Sequence, residues 1–407
     1  MPSRFRWVDF ADDDRERMLR VVDLFREQGT QDELGIGTIR DAFADWFFPG
    51  TSTIQTRARY FLFIPWIYQR LEWDGVPSAE VAAKARRAEI KLIDALLEAG
   101  ERQGVIGQEA REGLQRLPSS VYWSGLGSWG IRQFPGSQSQ YHRSLDAYYR
   151  RESRTVMTDD KEPVGGGVRA NWHAGLPEAP DDLLEESTMS LTDEEAEYLQ
   201  ANVVMCHPES LLAKLLLHDR HFECDFVWQH PHLDALPEGL RVTIQHARNF
   251  SETLHGSALL YNLLMSRARG VEEWAHGYEE RLGTWAALVQ GRWEDLCQWH
   301  ADIRALWSLP ALVAATIPYR TRVFVDQWLE ILFSEAAEGT IVSPAAKRLI
   351  VEREEQLKHT RARLSNKRAL ELWNGASGDR QLDFRWGNVS TLLDDIHAGL
   401  GHGEDDA

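Results

Sequence analysis

Apolar side chains recur at helical spacing along most of the chain. Between positions 77 and 99, for example, Val81, Ala85 and Ile93 fall on one face of a helix. Strand-like alternation of apolar and polar residues is sparse, and no internal repeat of fixed period occurs. The pattern therefore predicts a mainly α protein.

Helix-start and helix-stop signals delimit the first elements. Three aspartates at positions 12–14 favour the N-terminus of a first helix. Thr38 opens a second helix, which Pro49 closes, and Ser52 opens a third helix through the apolar run that follows. We expect Pro65 to kink or end this third helix, because proline removes a backbone hydrogen bond.

A change of composition divides the chain. Residues 151–192 carry few regularly spaced apolar side chains, and the window 151–200 holds 4 Lys and Arg against 13 Asp and Glu. A chain of 407 residues is also long enough for about two domains. We therefore predict helical domains over 1–150 and 193–400, joined by an acidic linker or surface excursion at 151–192. An acidic tail follows at 401–407.

Three short helices between positions 89 and 131 would give a winged-helix-like or helix-turn-helix-like unit in the N-terminal domain. Pro118 opens the third of these helices. That helix offers Tyr122 and Trp123 but hardly any side chain that could hydrogen-bond to a base edge. A packed three-helix core is the alternative explanation of the same pattern.

The composition predicts a cytoplasmic protein that does not enter a membrane. The apolar run at 60–68 is well short of the ~20 residues that a spanning helix needs. The first residues lack the apolar core of a secretory signal. The three cysteines, Cys206, Cys224 and Cys297, cannot make a disulfide framework and suit a reducing compartment.

The net charge of −18 opposes non-specific coating of nucleic acid. Residues 1–150, however, carry 20 Lys and Arg against 21 Asp and Glu, which leaves room for a local basic groove. The candidate anion-binding residues of this part are Arg57, Arg59, Arg132, His142 and Arg143.

Two of these candidates, Arg57 and Arg59, lie within a stretch dense in apolar and aromatic residues. An unpaired buried charge is costly, so each arginine needs an anionic partner. That partner is either an internal carboxylate such as Asp41 or Asp45, or a nucleic-acid phosphate or a carboxylate of another protein. On a helix the two arginines would point about 200° apart and would face different surroundings.

A second cationic region, residues 347–368, holds eight Lys and Arg against three acidic residues. Within it, Arg361, Arg363 and Lys367 belong to the stretch best suited to contact phosphates. A solvated helix face is the ordinary explanation of such a run.

Five of the fourteen histidines lie between positions 207 and 232. His218, His221 and Cys224 have the spacing HxxHxxC, so a helix would bring them together as two imidazole ligands and one thiolate ligand of zinc. Cys206 or His232 could supply a fourth ligand. The spacing matches no standard zinc module and HExxH is absent, so ordinary structural histidines are the alternative. Other nucleotide-binding and catalytic motifs are also absent.

Three long segments of unusual composition resemble a known family. They are LGIGTIRDAFADWFFPGTSTIQTRARYFLFIPWIY at 34–68, YWSGLGSWGIRQFPGSQSQYHRSL at 122–145, and the closing pair SNKRALELWNG and LDFRWGNVSTLLDDIHAGL. The family is bacterial, has about this length and is known mainly as a domain of unknown function. The resemblance covers the chain almost from end to end. The resemblance implies a place in anti-phage defence neighbourhoods, beside helicase-like and phospholipase-D-like proteins. It supplies no catalytic residues.

We therefore expect a non-catalytic component of a bacterial anti-phage defence system that binds nucleic acid, a partner defence protein, or both. A metal-dependent enzyme centred on the cluster at 206–232 is the alternative, with zinc as its metal. A purely structural adaptor is a third hypothesis. No other cofactor is expected.

Overall fold

The computed structural model describes residues 32–152, 170–218, 222–335 and 342–401. These residues form sixteen α-helices and no β-strand, and one isolated bridge joins Arg132 to Trp172. The mainly α prediction is confirmed. None of the described helices combines the length and the apolar character that a membrane crossing requires.

In chain order the helices are α1 (Gly37–Phe47), α2 (Tyr60–Trp73), α3 (Val81–Glu98), α4 (Pro118–Ser128), α5 (Gln138–Glu152), α6 (Asp193–Cys206), α7 (Leu211–Leu216), α8 (Glu238–Arg269), α9 (Glu272–Gly291), α10 (Trp293–Ala301), α11 (Ile303–Trp307), α12 (Pro310–Ala314), α13 (Tyr319–Glu335), α14 (Pro344–Lys358), α15 (Lys367–Glu371) and α16 (Trp386–Gly399). Short 3-10 turns lie at Arg111–Gly113, Val227–Gln229, Pro231–Ala235 and His359–Arg361.

The prediction of the third helix from its capping signal is wrong at its beginning. α2 starts at Tyr60 rather than near Ser52. The preceding residues form turns instead, because the hydroxyl of Tyr122 accepts the backbone N–H of Thr56 at 2.8 Å. The helix also continues through Pro65 to its end at Trp73. Burial of ten of its fourteen residues offsets the backbone hydrogen bond that the proline removes.

Contacts group the described residues into two compact units. Unit 1 takes the described residues from 47 to 223 and from 385 to 401, and unit 2 takes those from 32 to 46 and from 224 to 384. The sequence-based domains over 1–150 and 193–400 stay a prediction. The predicted first helix, His221, part of the predicted linker (153–169) and the tail at 402–407 lie outside the described residues.

The core of unit 1 is rich in aromatic side chains. α2 packs against α3 and α4, and the ring of Phe61 stacks on Trp129 with centroids 3.8 Å apart. Tyr122 meets Phe61 edge-on at 4.9 Å. The last helix, α16, packs against α6 and α7 in the same unit.

The predicted DNA-reading helix, α4, belongs to this core. Its residues Val121, Tyr122 and Trp123 are buried, whereas its exposed positions include the short side chains of Ser120 and Ser124. Since the described residues contain no strand, they form no wing. The structure therefore shows the three-helix segment as part of a packed core and adds no support for a winged-helix-like unit.

The core of unit 2 is built around α8, which is 32 residues long. α9, α13 and α14 pack against it. The indole N–H groups of Trp285 and Trp328 donate to the α8 carbonyls of Glu252 and Thr253, at 2.7 and 3.0 Å. Gly256 permits the close approach of the Trp285 ring, which a Cβ at that position would strike.

Candidate functional site

Arg57 lies in the loop before α2 and is paired with a carboxylate of unit 1. Its Nε lies 2.9 and 3.0 Å from the two oxygens of Asp395 on α16, and its Nη2 lies 2.8 Å from Oδ1. Asp395 also accepts the backbone N–H of Ala58 at 2.7 Å. The internal partner is therefore neither Asp41 nor Asp45 but a residue 338 positions further along the chain.

Arg59 is buried, with 8% of its surface exposed, at the start of α2. Its Nη2 donates to Glu195 at 2.8 Å and its Nη1 donates to the Thr188 carbonyl at 2.9 Å. The guanidinium also lies 5.4 Å from the centre of the Phe63 ring. Arg57 and Arg59 thus face different surroundings. Both donate hydrogen bonds to acceptors within the chain rather than to an external phosphate.

Arg132 is likewise directed inward. Its Nε donates to the Trp123 carbonyl at 3.2 Å, and its Nη1 donates to the carbonyls of Gly136, at 3.0 Å, and Phe134. Its guanidinium lies 4.9 Å from the centre of the Trp123 ring. Arg143, in contrast, is exposed on α5.

His142 ends a chain of hydrogen bonds that begins at a buried carboxylate. Its Nε2 lies 2.9 Å from the Tyr68 hydroxyl, and the Gln138 amide donates to the hydroxyls of Tyr68 and Ser119, both at 2.8 Å. Ser119 donates its N–H and hydroxyl to Glu89, at 2.8 and 2.7 Å.

Burial shifts the pKa values at both ends of this chain. It raises the pKa of Glu89 to about 7 and lowers the pKa of His142 to about 4. Both groups are therefore neutral between these values. Since Glu89 and Ser119 are almost fully buried, this end of the chain of hydrogen bonds belongs to the core of unit 1.

The predicted zinc ligands do not lie on one helical face. α7 ends at Leu216, so His218 lies beyond it, and the backbone around Cys224 is irregular. His221 lies outside the described residues. The helical geometry that the HxxHxxC spacing requires is therefore absent from the described part of this stretch.

The remaining candidate ligands are Cys206, at the exposed end of α6, and His232, whose backbone N–H donates to Nδ1 of His230 at 3.3 Å. Among the residues that the structure describes, no three His, Cys, Asp or Glu side chains are gathered as a metal site would need. The zinc hypothesis thus gains no support from them.

Arg363 belongs to an ionic cluster in unit 2. The carboxylate of Glu33, which is 6% exposed, accepts from Nη1 of Arg363 at 2.9 Å and from Nζ of Lys358. Burial by itself would raise the pKa of Glu33, but the two cations hold it below its ordinary value. Arg363 also donates to the Ser377 hydroxyl at 3.0 Å.

A fully buried carboxylate, Glu354, fixes the chain that follows α14. It accepts the backbone N–H groups of Arg363 and Leu364, both at 2.9 Å, and the Tyr261 hydroxyl at 2.5 Å. Lys358 lies 3.2 Å from it. Charge-assisted hydrogen bonds to a buried carboxylate are strong, so this backbone is held firmly.

We call residues 359–368 the basic segment. The side chains of Arg361, Lys367 and Arg368 in this segment are exposed, and they form no ion pair with any described residue. Asn366 bonds to backbone groups on both sides of it. Its amide donates to the Thr360 carbonyl at 2.6 Å, and its carbonyl oxygen accepts the N–H of Ala369. The segment therefore presents free cations on an anchored backbone.

Sequence reasoning missed the buried charges Glu89, Arg353 and Glu354. A signal existed for two of them: Glu89 follows Ala85 by four residues, and Glu354 follows Ile350 by four, so each occupies an apolar position of its helix. A carboxylate at such a position indicates a buried polar network.

Comparison with known proteins gives a family but no characterised relative. A family model described as a family of unknown function (DUF6361) matches residues 2–399. No curated protein and no solved structure matches the chain.

Proposed function

The chain belongs to the family of unknown function DUF6361, so its role is inferred from its own residues. We propose that it binds nucleic acid through the basic segment. In this proposal it is a non-catalytic, cytoplasmic component of a bacterial anti-phage defence system. The observation that carries the binding proposal is the presence of three exposed cations on a backbone fixed by Glu354. The place in defence rests on the sequence resemblance.

The basic segment suits phosphate contacts for two physical reasons. Its anchored backbone reduces the conformational entropy that binding would otherwise cost. Its free cations would release counterions from the nucleic acid, which makes affinity fall steeply with salt. The net charge of −18 opposes non-specific binding, so we expect contact with nucleic acid to be local.

A shift assay on the purified full chain tests the proposal, with labelled 20-nucleotide single strands and a 20-base-pair duplex at several salt concentrations. We expect salt-dependent binding, and Arg361→Ala/Lys367→Ala should lower the log–log salt slope by about 2. A matched control is Arg87→Ala/Lys91→Ala, which removes two exposed cations from α3 and should leave the slope unchanged. Absence of salt-dependent binding by the wild type would overturn the proposal.

A protein partner is the second candidate, and the exposed side chain of Trp73 favours it. This indole is 91% exposed at the end of α2 in unit 1. Co-purification of the untagged neighbouring gene products, followed by nuclease treatment, separates the two candidates. A complex that survives nuclease and is lost in Trp73→Ala would be held by protein contacts.

The defence role is tested by phage challenge of a strain that carries the complete gene neighbourhood. Deletion of this gene should raise plaque formation, and the wild-type chain should restore protection. Equal plaque counts with and without the gene would exclude the defence role.

A further inference from the structure

A buried arginine, Arg353, lies beneath one end of the helix pair α13 and α14. It is 2% exposed, and its Nε donates to the Leu34 carbonyl at 2.8 Å. Its Nη2 donates to the Gly35 carbonyl and the Thr321 hydroxyl, both at 3.1 Å. Its Nη1 donates to the Arg320 carbonyl at 3.2 Å.

All the hydrogen-bond partners of Arg353 among the described residues are neutral. Its charge therefore has no contacting carboxylate, although Asp32 acts on it at longer range and Arg320 opposes it. A buried cation without a contacting carboxylate raises the positive potential at the nearby surface, where an anionic ligand would be stabilised.

The contacts of Arg353 bring two exposed segments to the same end of the helix pair. Because it binds the Arg320 carbonyl, the first turn of α13 lies beside the last turns of α14, and the basic segment begins where α14 ends. In that first turn, Tyr319 is 79% exposed, and the Arg320 side chain is also exposed. Arg361 is exposed in the 3-10 turn that follows α14.

We propose that Tyr319, Arg320 and Arg361, which are exposed at the same end of the helix pair, bind single-stranded nucleic acid, with a base stacked on the Tyr319 ring and phosphates held by the two arginines. This inference rests on the proposed function and specifies its substrate class. Every base offers a π-face to an exposed ring, whereas a duplex hides those faces within its own stack. Binding should consequently depend little on sequence and should favour single strands over duplex.

The test compares the full-length wild type with Tyr319→Ala and Tyr319→Phe by fluorescence anisotropy. The probes are oligo(dT) and oligo(U) of 20 nucleotides and a 20-base-pair duplex. Tyr319→Ala should weaken single-strand binding about 5- to 150-fold, which is the range for losing one stacked base, and should leave duplex binding unchanged. Tyr319→Phe should bind as the wild type does, because it keeps the ring. Trp73→Ala removes an equally exposed aromatic side chain from unit 1 and should have no effect.

The outcomes separate this inference from the proposed function. If neither single strands nor duplex bind in a salt-dependent way, both proposals fail. If Arg361→Ala/Lys367→Ala weakens binding but Tyr319→Ala does not, or if the wild type prefers duplex, only the single-strand inference is overturned. Stronger binding of oligo(U) than of oligo(dT) would identify RNA as the natural strand, and the reverse would identify DNA.

Ultraviolet crosslinking of 5-bromouridine in the single strand should map to the peptide that contains Tyr319.

Discussion

Individual charged residues explain why several sequence-based candidates do not face solvent. Arg57 and Arg59 each form an ion pair with a buried carboxylate, and Arg363 forms an ion pair with Glu33. A guanidinium that is already paired in this way gains little from a phosphate, because it would first have to break its internal bonds. The exposed cations of the basic segment have no such cost.

The buried pair of Arg59 and Glu195 should be strongly required for stability. Glu195→Gln keeps a side chain that can complete the capping box of α6 but leaves Arg59 without a charged partner. We expect the free energy of unfolding in urea to fall by about 3–5 kcal/mol. Glu279→Gln breaks the exposed pair with Arg267 and should cost less than about 1 kcal/mol. Equal effects of the two variants would contradict the assignment.

The buried carboxyl of Glu89 should make the stability of the protein depend on pH. Its pKa is about 7 in the folded chain against 4.5 for an ordinary glutamate carboxyl, so the folded state favours the protonated form. Its contribution to stability is fully present below about pH 4.5 and is lost as pH rises through about 7, by roughly 3 kcal/mol in total.

Glu89→Gln should remove this loss. Melting temperatures of the wild type and the variant, measured between pH 5 and 8, should converge at pH 5 and diverge at pH 8, where the variant is more stable. Glu98→Gln changes an exposed carboxylate of the same helix and should follow the wild type. A parallel pH profile for Glu89→Gln and the wild type would show that Glu89 ionises freely.

At the scale of the elements, helix boundaries follow local signals except where a distant side chain intervenes. Thr192 and Glu195, which lie three residues apart, form the capping box of α6. The start of α2, in contrast, is displaced because Tyr122 accepts the backbone N–H groups of the preceding turn. Such a bond comes from α4 and leaves no pattern in the sequence of α2.

The segment before α1 depends on Gly35. Its φ is +68°, and a Cβ there would lie 2.5 Å from Nη2 of Arg353. We expect Gly35→Ala to lower the free energy of unfolding by about 2–4 kcal/mol, since backbone strain and steric collision add. Gly270→Ala has a similar φ of +76° but open space, so it should cost only about 1 kcal/mol. Urea titration of both variants measures the difference, and equal losses would refute the collision.

At the scale of the whole molecule, unit 1 includes α16, which is the last helix in the sequence. α16 buries Trp386, Val389 and Leu393 against its own unit, and Asp395 pairs with Arg57. The unit therefore combines segments that are far apart in sequence.

A chain truncated after residue 384 should lose the tertiary structure of unit 1, because removal of α16 exposes the apolar faces of α6 and α7. Near-ultraviolet circular dichroism and urea unfolding measure this loss. Asp395→Asn keeps α16 and removes only the charge, so it should still fold, with a lower unfolding midpoint. Native-like spectra from the truncated chain would show that α16 is dispensable.

The sequence by itself determined the helical class and the family, because these depend on local spacing and on long residue patterns. It also indicated that Arg57 and Arg59 need anionic partners, since the cost of an unpaired buried charge is independent of fold. Only the tertiary structure decided that the partners are Asp395 and Glu195, and that Arg361 stays free while Arg363 does not. The physical reason is that burial and ion pairing depend on contacts between residues more than a hundred positions apart, which no local pattern encodes.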